Sequence, residues 1–183
     1  MLWGVMVDRY VLRRALARFG KLQGAGAAVP ARASARNIAL AGLGGFLAIS
    51  VAAGLAYAAA TPLVLGSFGA TCVLVFGYPD APFSQPRNVI FGHVLSSAIG
   101  LACLALLGPH WWTAGIATGA AIAVMMLTRT VHPPAGSNPV IVFLTQPAWS
   151  FLLFPTLVGA LLLVAVALFY NNLVREQRYP SYW

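Results

Sequence analysis

Long apolar runs alternate with short polar breaks along most of this chain. Residues 37–60 are 24 in number and carry no charge, enough to cross a bilayer core as a helix. Residues 62–77 form a shorter run of 16, interrupted by Gly66-Ser67-Phe68-Gly69. A polar break follows at 78–87, with Pro79, Asp80, Pro82, Pro86 and Arg87. Residues 88–107, 111–128 and 151–170 are three further long runs, of 20, 18 and 20 residues. Between the last two, the stretch from His132 to Pro139 breaks the pattern, and only 140–144 is apolar before the next polar segment. The pattern predicts an all-α polytopic membrane protein with four long and two short, broken membrane elements.

Composition agrees. Sixty per cent of the 183 residues are hydrophobic and 8% are charged, with a mean hydropathy of +0.83. A soluble domain carries roughly 25% charged residues, and one of this size cannot hide so much apolar surface from water. A soluble globule, a disordered chain and a secreted disulfide scaffold are therefore excluded. Cys72 and Cys103 both lie in apolar runs and read as buried small hydrophobes, with no metal-ligand spacing.

Eleven basic residues against three acidic ones give a net charge of +8. In a soluble protein that excess would point to nucleic acid. Here the basic residues flank the apolar runs, so the expected partner is the lipid bilayer and no nucleic acid. Seven of the eleven fall in residues 1–36. On a helical wheel Val7, Val11, Leu12, Leu16, Phe19 and Leu22 share one half, and Arg9, Arg13, Arg14, Arg18 and Lys21 the other. That is a basic amphipathic helix suited to an anionic membrane surface, followed by a linker over 23–36. The expected organisation is this helix and linker at 1–36, a membrane domain at 37–172 and a cytoplasmic tail at 173–183. The Arg, Ala and Gly bias fits a bacterial inner membrane; the Arg-rich N-terminal segment leaves an organelle membrane open.

If all six elements cross, every basic residue falls on one side and the opposite connections carry no charge. Both termini are then expected in the cytoplasm. Each half reads long, short and broken, long, with Gly66-Ser67 opening one short element and Gly136-Ser137 the other. Three crossings per half make a 3+3 inverted repeat, the architecture that sets a transport site between discontinuous helices. Residues 61–66 and 131–136 are expected to be extended, with short helices starting near Ser67 and Ser137. Helix starts attract anions through unpaired N–H groups and the macrodipole. Ser67, Thr71, Ser137 and Asn138 can add donors, and irregular backbone at that depth implies a protein-lined cavity.

The stretch Thr130–Pro139, TVHPPAGSNP, resembles the signature of the HPP family of small integral membrane proteins. Gly66-Ser67-Phe68-Gly69-Ala70, followed by Gln85-Pro86-Arg87-Asn88 and His93, is similar to the same family, and the likeness covers roughly residues 35–172. The family occurs in bacteria, cyanobacteria and plant plastids, and the resemblance implies nitrite transport. The residues by themselves argue only for an anion-attracting cavity.

The candidate substrate-binding set is Ser67, Phe68, Gly69, Thr71, His93, His132, Gly136, Ser137 and Asn138. His93 leads Ser96, Ser97 and Gly100 along one small, polar helix face, either a packing face or a cavity wall. His132 precedes the second break and either ties the loop or serves the site. Arg87, Asn88 and Arg129 form a candidate electropositive vestibule; ordinary cytoplasmic anchoring is the other reading of the two arginines. No Asp or Glu lies within a membrane run, which argues against a cation path. The leading expectation is a transporter of a small monovalent anion, nitrite being the first candidate, with no cofactor, no enzyme activity and a homo-oligomeric state. An anion channel of other selectivity and a non-transporting assembly protein are the alternatives. The topology is testable in a chain whose two native cysteines are replaced. A cysteine at Ala148 should label from outside intact cells and one at Ala81 should not. Outside labelling at Ala81 would remove the six-crossing arrangement.

Overall fold

The computed structural model describes residues 26–183 together with Val11, Arg13, Arg14, Leu16 and Phe19. Those five are helical and exposed; the rest of the expected amphipathic helix lies outside the described residues. The unit Met1–Ala33 is separate from Ser34–Trp183, and the latter holds the membrane elements.

Six helices follow, and among the described residues there is no strand. Helix α1 is Ala35–Ala59, opened by Ser34, whose side chain accepts from the Asn37 N–H, a standard first-turn cap. It stops at Ala60, which takes a left-handed φ of 49°. Helix α2, Gly66–Cys72, runs on into a wider π turn, Val73–Gly77. Helix α3, Pro86–Leu107, starts with its proline in the first turn, where a missing N–H costs nothing. Helix α4 is Trp111–Leu127, α5 is Asn138–Thr145 and α6 is Val158–Val174. Short 3-10 and π turns, Trp149–Leu152 and Leu153–Leu157, lead into α6.

Among the described residues three stretches are long and apolar enough to cross a membrane: Ala35–Ala59, Pro86–Leu107 and Trp149–Val174. Helix α4, at 17 residues, reaches roughly 26 Å at about 1.5 Å per residue. The two broken elements gain reach from their non-helical parts. Residues 62–65 have no regular secondary structure before α2, and Leu65 is extended; with the twelve helical residues Gly66–Gly77 they can reach at most roughly 31 Å, close to a core of about 30 Å.

At the first break the expected extended chain is seen at Leu65, directly before helix α2 opens at Gly66. The second departs from expectation. Residues 130–132 have no regular secondary structure, with His132 extended, and Pro133–Ser137 is a 3-10 helix. Two consecutive prolines have their φ fixed near −65°, which suits a first helical turn as well as an extended one. The α-helix therefore starts at Asn138, with Pro139 at its second position, and not at Ser137.

One end of the molecule gathers the polar connections. Arg36 donates to Val174 O at 3.4 Å, and the Arg175 guanidinium to Phe76 O. Tyr179 OH donates to Ser84 O at 2.7 Å. Asn88 Nδ2 donates to Val131 O at 2.9 Å, and Arg87 to Thr128 O at 3.2 Å. So the start of α1, the 78–85 loop, the 128–131 turn and the tail form one layer. The opposite end brings residues 62–66 beside 145–151. The tail is part of this fold, since Tyr179 is buried at 3% exposure.

Helix α3 is central, packing against α4, α5, α6 and the Pro133–Ser137 turn. Glycine permits that closeness. A Cβ on Gly92 would lie 2.7 Å from His132 Cβ, and one on Gly100 would lie 3.0 Å from Pro139 Cα. With Ser96 between them, these residues recur every four positions and form a small-residue stripe that admits a neighbouring backbone. Gly159 on α6 does the same for the first break, since a Cβ there would stand 2.5 Å from both Leu63 O and Phe68 Cε2. Neither a backbone carbonyl nor a buried ring can retreat easily in a close-packed interior. Gly159→Ala is expected to cost about 1–3 kcal/mol and to lower the thermal unfolding midpoint in detergent, whereas Gly115→Ala, with nothing within 4 Å, should leave it unchanged.

Candidate functional site

The two broken elements deliver their polar side chains to the same place. Thr71 comes from the second turn of α2, His93 from α3, His132 from the non-helical residues after α4, and Asn138 from the start of α5. All four are fully buried. His93 lies seven residues into α3, roughly 10 Å along its axis.

Thr71 Oγ1 lies 2.9 Å from His93 Nε2 and 2.9 Å from His132 Nε2. His132 Nδ1 lies 2.7 Å from Phe83 O, and Asn138 Nδ2 lies 3.1 Å from His93 Nδ1. The directions of these bonds follow from the one partner that cannot vary. A carbonyl only accepts, so His132 Nδ1 carries its hydrogen. With both rings neutral, His132 Nε2 then accepts, and the Thr71 hydroxyl must donate to it. Thr71 has a single hydrogen, so it accepts from His93 Nε2–H. His93 Nδ1 is left as the acceptor, and it faces the Asn138 amide nitrogen. Every bond from Asn138 to Phe83 thus points the same way.

The network extends through Asn138 Nδ2, which also donates to Ser97 Oγ at 2.9 Å; Ser97 Oγ lies 3.2 Å from Thr156 Oγ1, linking α3 to the approach to α6. Ser96 Oγ donates to Ala135 O at 2.6 Å, holding the 3-10 turn. The Phe68 ring meets the His93 ring edge-on with centroids 5.1 Å apart. Two polar atoms in this region are buried with no protein partner: Ser67 Oγ and Asn138 Oδ1. Such atoms are costly unless something supplies a bond.

The candidate residues therefore divide. Phe68, Thr71, His132 and Asn138 all meet His93, and Ser67 contributes its carbonyl, which lies 3.2 Å from Thr71 Oγ1. Gly69 and Ser137 are exposed and Gly136 is half-buried. Ser137 Oγ donates to Pro134 O at 2.8 Å, so its hydroxyl closes its own turn. This follows from the second break being a 3-10 helix, which turns Ser137 away and brings Asn138 in. Asn88 is buried, and its amide holds Val131 O while its Oδ1 accepts from Tyr182 OH at 3.2 Å. Arg87 and Arg129 are exposed at the polar end. Arg87 borders an open, mainly apolar groove of about 630 Å³ with Ile90, Phe91, Leu95 and Trp183.

Sequence reasoning passed over the residues that hold Phe83 in place. Ser84 Oγ has Tyr78 O at 2.7 Å and Leu74 O at 3.0 Å as the two acceptors within reach of its single hydrogen. Gln85 Nε2 donates to Pro79 O at 2.9 Å, and its Oε1 accepts from Ser181 N at 2.8 Å. The tail thereby clamps the loop, and the loop's carbonyl sets the tautomer of His132. A Gln beside a Pro-rich turn was the available signal, but the partner that ties it to the tail, Ser181, lies 96 residues away. Thr156 was also passed over, since nothing near it in sequence is polar.

Together these features define an all-helical membrane protein with a buried, carboxylate-free polar cluster where two broken elements meet. The model for the HPP transmembrane region matches residues 30–180. The chain belongs to the HPP family. It is 34% identical over 166 residues to a transmembrane protein of Dictyostelium discoideum, covering 84% of this chain and 53% of that protein. It is 36% identical over 129 residues to a second transmembrane protein of that organism, covering 66% of this chain and 45% of the relative. The chain thus spans about half the length of these curated relatives. No solved structure matches it.

The tail clamp has a measurable pH signature. Tyr179 is outside the membrane elements, and burial raises its phenol above the usual value of 10. A raised acid keeps its full contribution below its unfolded pKa and loses it as pH climbs through the folded one. Wild-type stability should hold to about pH 10 and fall beyond it. Tyr179→Phe should start about 1 kcal/mol lower and show a shallower alkaline loss, read from thermal unfolding in detergent.

Proposed function

We propose that this chain carries a small monovalent anion, nitrite being the first candidate, across a membrane through the junction of its two broken elements. The observation that carries this reading is the buried Thr71–His93–His132–Asn138 cluster, with the unpartnered atoms Ser67 Oγ and Asn138 Oδ1 close by in sequence. Interhelical hydrogen bonds also serve packing in lipid, but the two unpartnered buried atoms beside them are costly and no packing role accounts for them. No carboxylate competes with an anion there. Asn138 opens α5, so the positive end of that helix faces the cluster.

The packing also supports the inverted-repeat reading. The third element of each half, α3 or α6, presents the glycine against which the broken segment of the other half lies: Gly92 against His132, and Gly159 against Leu63. Such an exchange fits two halves related by a two-fold axis in the membrane plane, with the substrate between them. The polar end gathers Arg36, Arg87, Arg129 and Arg175, so we orient it, with both termini, toward the cytoplasm of a bacterial inner membrane. An oligomer would thicken the walls around so small a bundle. We read the protein as a transporter and not an enzyme.

Nitrite uptake into proteoliposomes tests this. Asn138→Asp puts a carboxylate at the start of α5, where like charge repels the anion in a medium of low effective dielectric. Uptake should fall more than tenfold while the variant remains monodisperse in detergent. Wild-type uptake by that variant would remove the anion site from this position.

A further inference from the structure

The geometry around Thr71 points to proton coupling, an inference that rests on the transport reading above. With both rings neutral, the Thr71 hydrogen is committed to His132 Nε2. Yet the same hydroxyl has a second acceptor waiting, Ser67 O, at 3.2 Å. Suppose one proton arrives on His132 Nε2. Thr71 then turns its hydrogen to Ser67 O and accepts from both imidazoles, each at 2.9 Å. His132 becomes an imidazolium whose Nδ1–H still donates to Phe83 O at 2.7 Å, and its Nε2–H donates to Thr71. His93 is untouched, with Nε2–H donating to Thr71 and Nδ1 accepting from Asn138. Every hydrogen in the cluster has an acceptor in both states, and only a hydroxyl rotates between them.

A second proton has no such place. The remaining lone pair is on His93 Nδ1, and the Asn138 amide N–H points into it. We propose that His93, Thr71 and His132 take up one proton for each anion carried, so that transport is electroneutral symport of a proton with a monovalent anion. The proton binds at His132 Nε2 when the anion enters, and both leave on the other side; no covalent bond to carbon or sulfur is made or broken.

The surroundings support a single proton-binding centre. Around the pair, α2 offers Cys72, α3 offers Cys103 and α6 offers Tyr170 as further titratable groups, and α4 and α5 offer none. The charged groups on neighbouring segments are Asp80, Arg87, Arg129, Arg175 and Glu176. None of these has a hydrogen bond to either imidazole, and the bonds of both rings are those already described. Among the described residues no buried carboxylate is present to hold the cation, so the carried anion is the counter-charge for the imidazolium in the low-dielectric interior.

Full-length protein in proteoliposomes, with protein-free vesicles subtracted for passive acid permeation, tests the coupling. An inward acid gradient of one pH unit should drive nitrite accumulation of up to about tenfold, the limit for one proton per anion. A potassium diffusion potential at equal pH should drive none. Thr71→Val should lose the acid-driven accumulation and Thr71→Ser should keep it. Nitrite flux that ignores the pH gradient and follows the potential overturns the coupling but leaves the transport reading standing. Absence of any protein-dependent flux of nitrite, nitrate or formate sinks both. Nitrogen-15 histidine NMR reads the proton site without transport. At neutral pH, His93 should carry hydrogen on Nε2 and His132 on Nδ1; on acidification, His132 should gain a second hydrogen before His93 does. Thr71→Val should make that gain harder and Thr71→Ser should not. Protonation of His93 first, or a His132 indifferent to Thr71→Val, overturns the proposal.

Discussion

Backbone that leaves the helix inside lipid must find its hydrogen-bond partners within the protein, because no water is there to supply them. That constraint organises the molecule. The break after α4 leaves carbonyls that a continuous helix would have satisfied. Asn88 takes up Val131 O and Ser96 takes up Ala135 O, both from α3. The break also leaves the His132 ring in the interior, where it needs two partners and finds them in Phe83 O and Thr71. Each partner belongs to a different element, so satisfying one histidine fixes three segments relative to one another.

Closeness is the second requirement. Hydrogen bonds of 2.6–2.9 Å across helices need backbones nearer than ordinary side chains allow. Gly92, Ser96 and Gly100 clear a track on α3 for the second broken element, and Gly159 clears a spot on α6 for the first. In lipid the apolar surface gains little by burial, so tight packing and interhelical hydrogen bonds have to hold the bundle. Here both act on the same face. The glycines admit the backbone, Ser96 between them binds its carbonyl at Ala135, and Ser97 beside them accepts from the Asn138 side chain.

The polar end works differently, as a clamp and not a packing surface. Tyr179, Ser181 and Tyr182 from the tail grip Ser84, Gln85, Pro82 and Asn88. The loop so gripped presents Phe83 O to His132. A contact near the membrane surface thereby sets which nitrogen of a buried imidazole carries its hydrogen, and through Thr71 the tautomer of the other. Second partners of this kind orient a histidine as firmly as its first.

Much of this was legible in the chain. Apolar runs and their charge-free interiors determined an all-helical membrane protein, and the Gly and Pro breaks located the two short elements. The grouping of Thr71, His93, His132 and Asn138 was anticipated as a list, because buried polar residues stand out where nearly every neighbour is apolar. Their arrangement was not. The residues from His132 to Pro139 are compatible with an extended strand or a 3-10 turn, since proline's φ suits both. Packing against Gly92 and Gly100 decided for the turn, so Asn138 faces the cluster and Ser137 does not. The clamp from residues 179–182 onto 82–88 was likewise invisible, because it joins positions nearly a hundred residues apart through hydrogen bonds that no local periodicity encodes. Local pattern fixes which segments lie in lipid and where their helices break. Which atoms then meet is decided by the tertiary structure, because only there does each unpaired group find the one partner within reach.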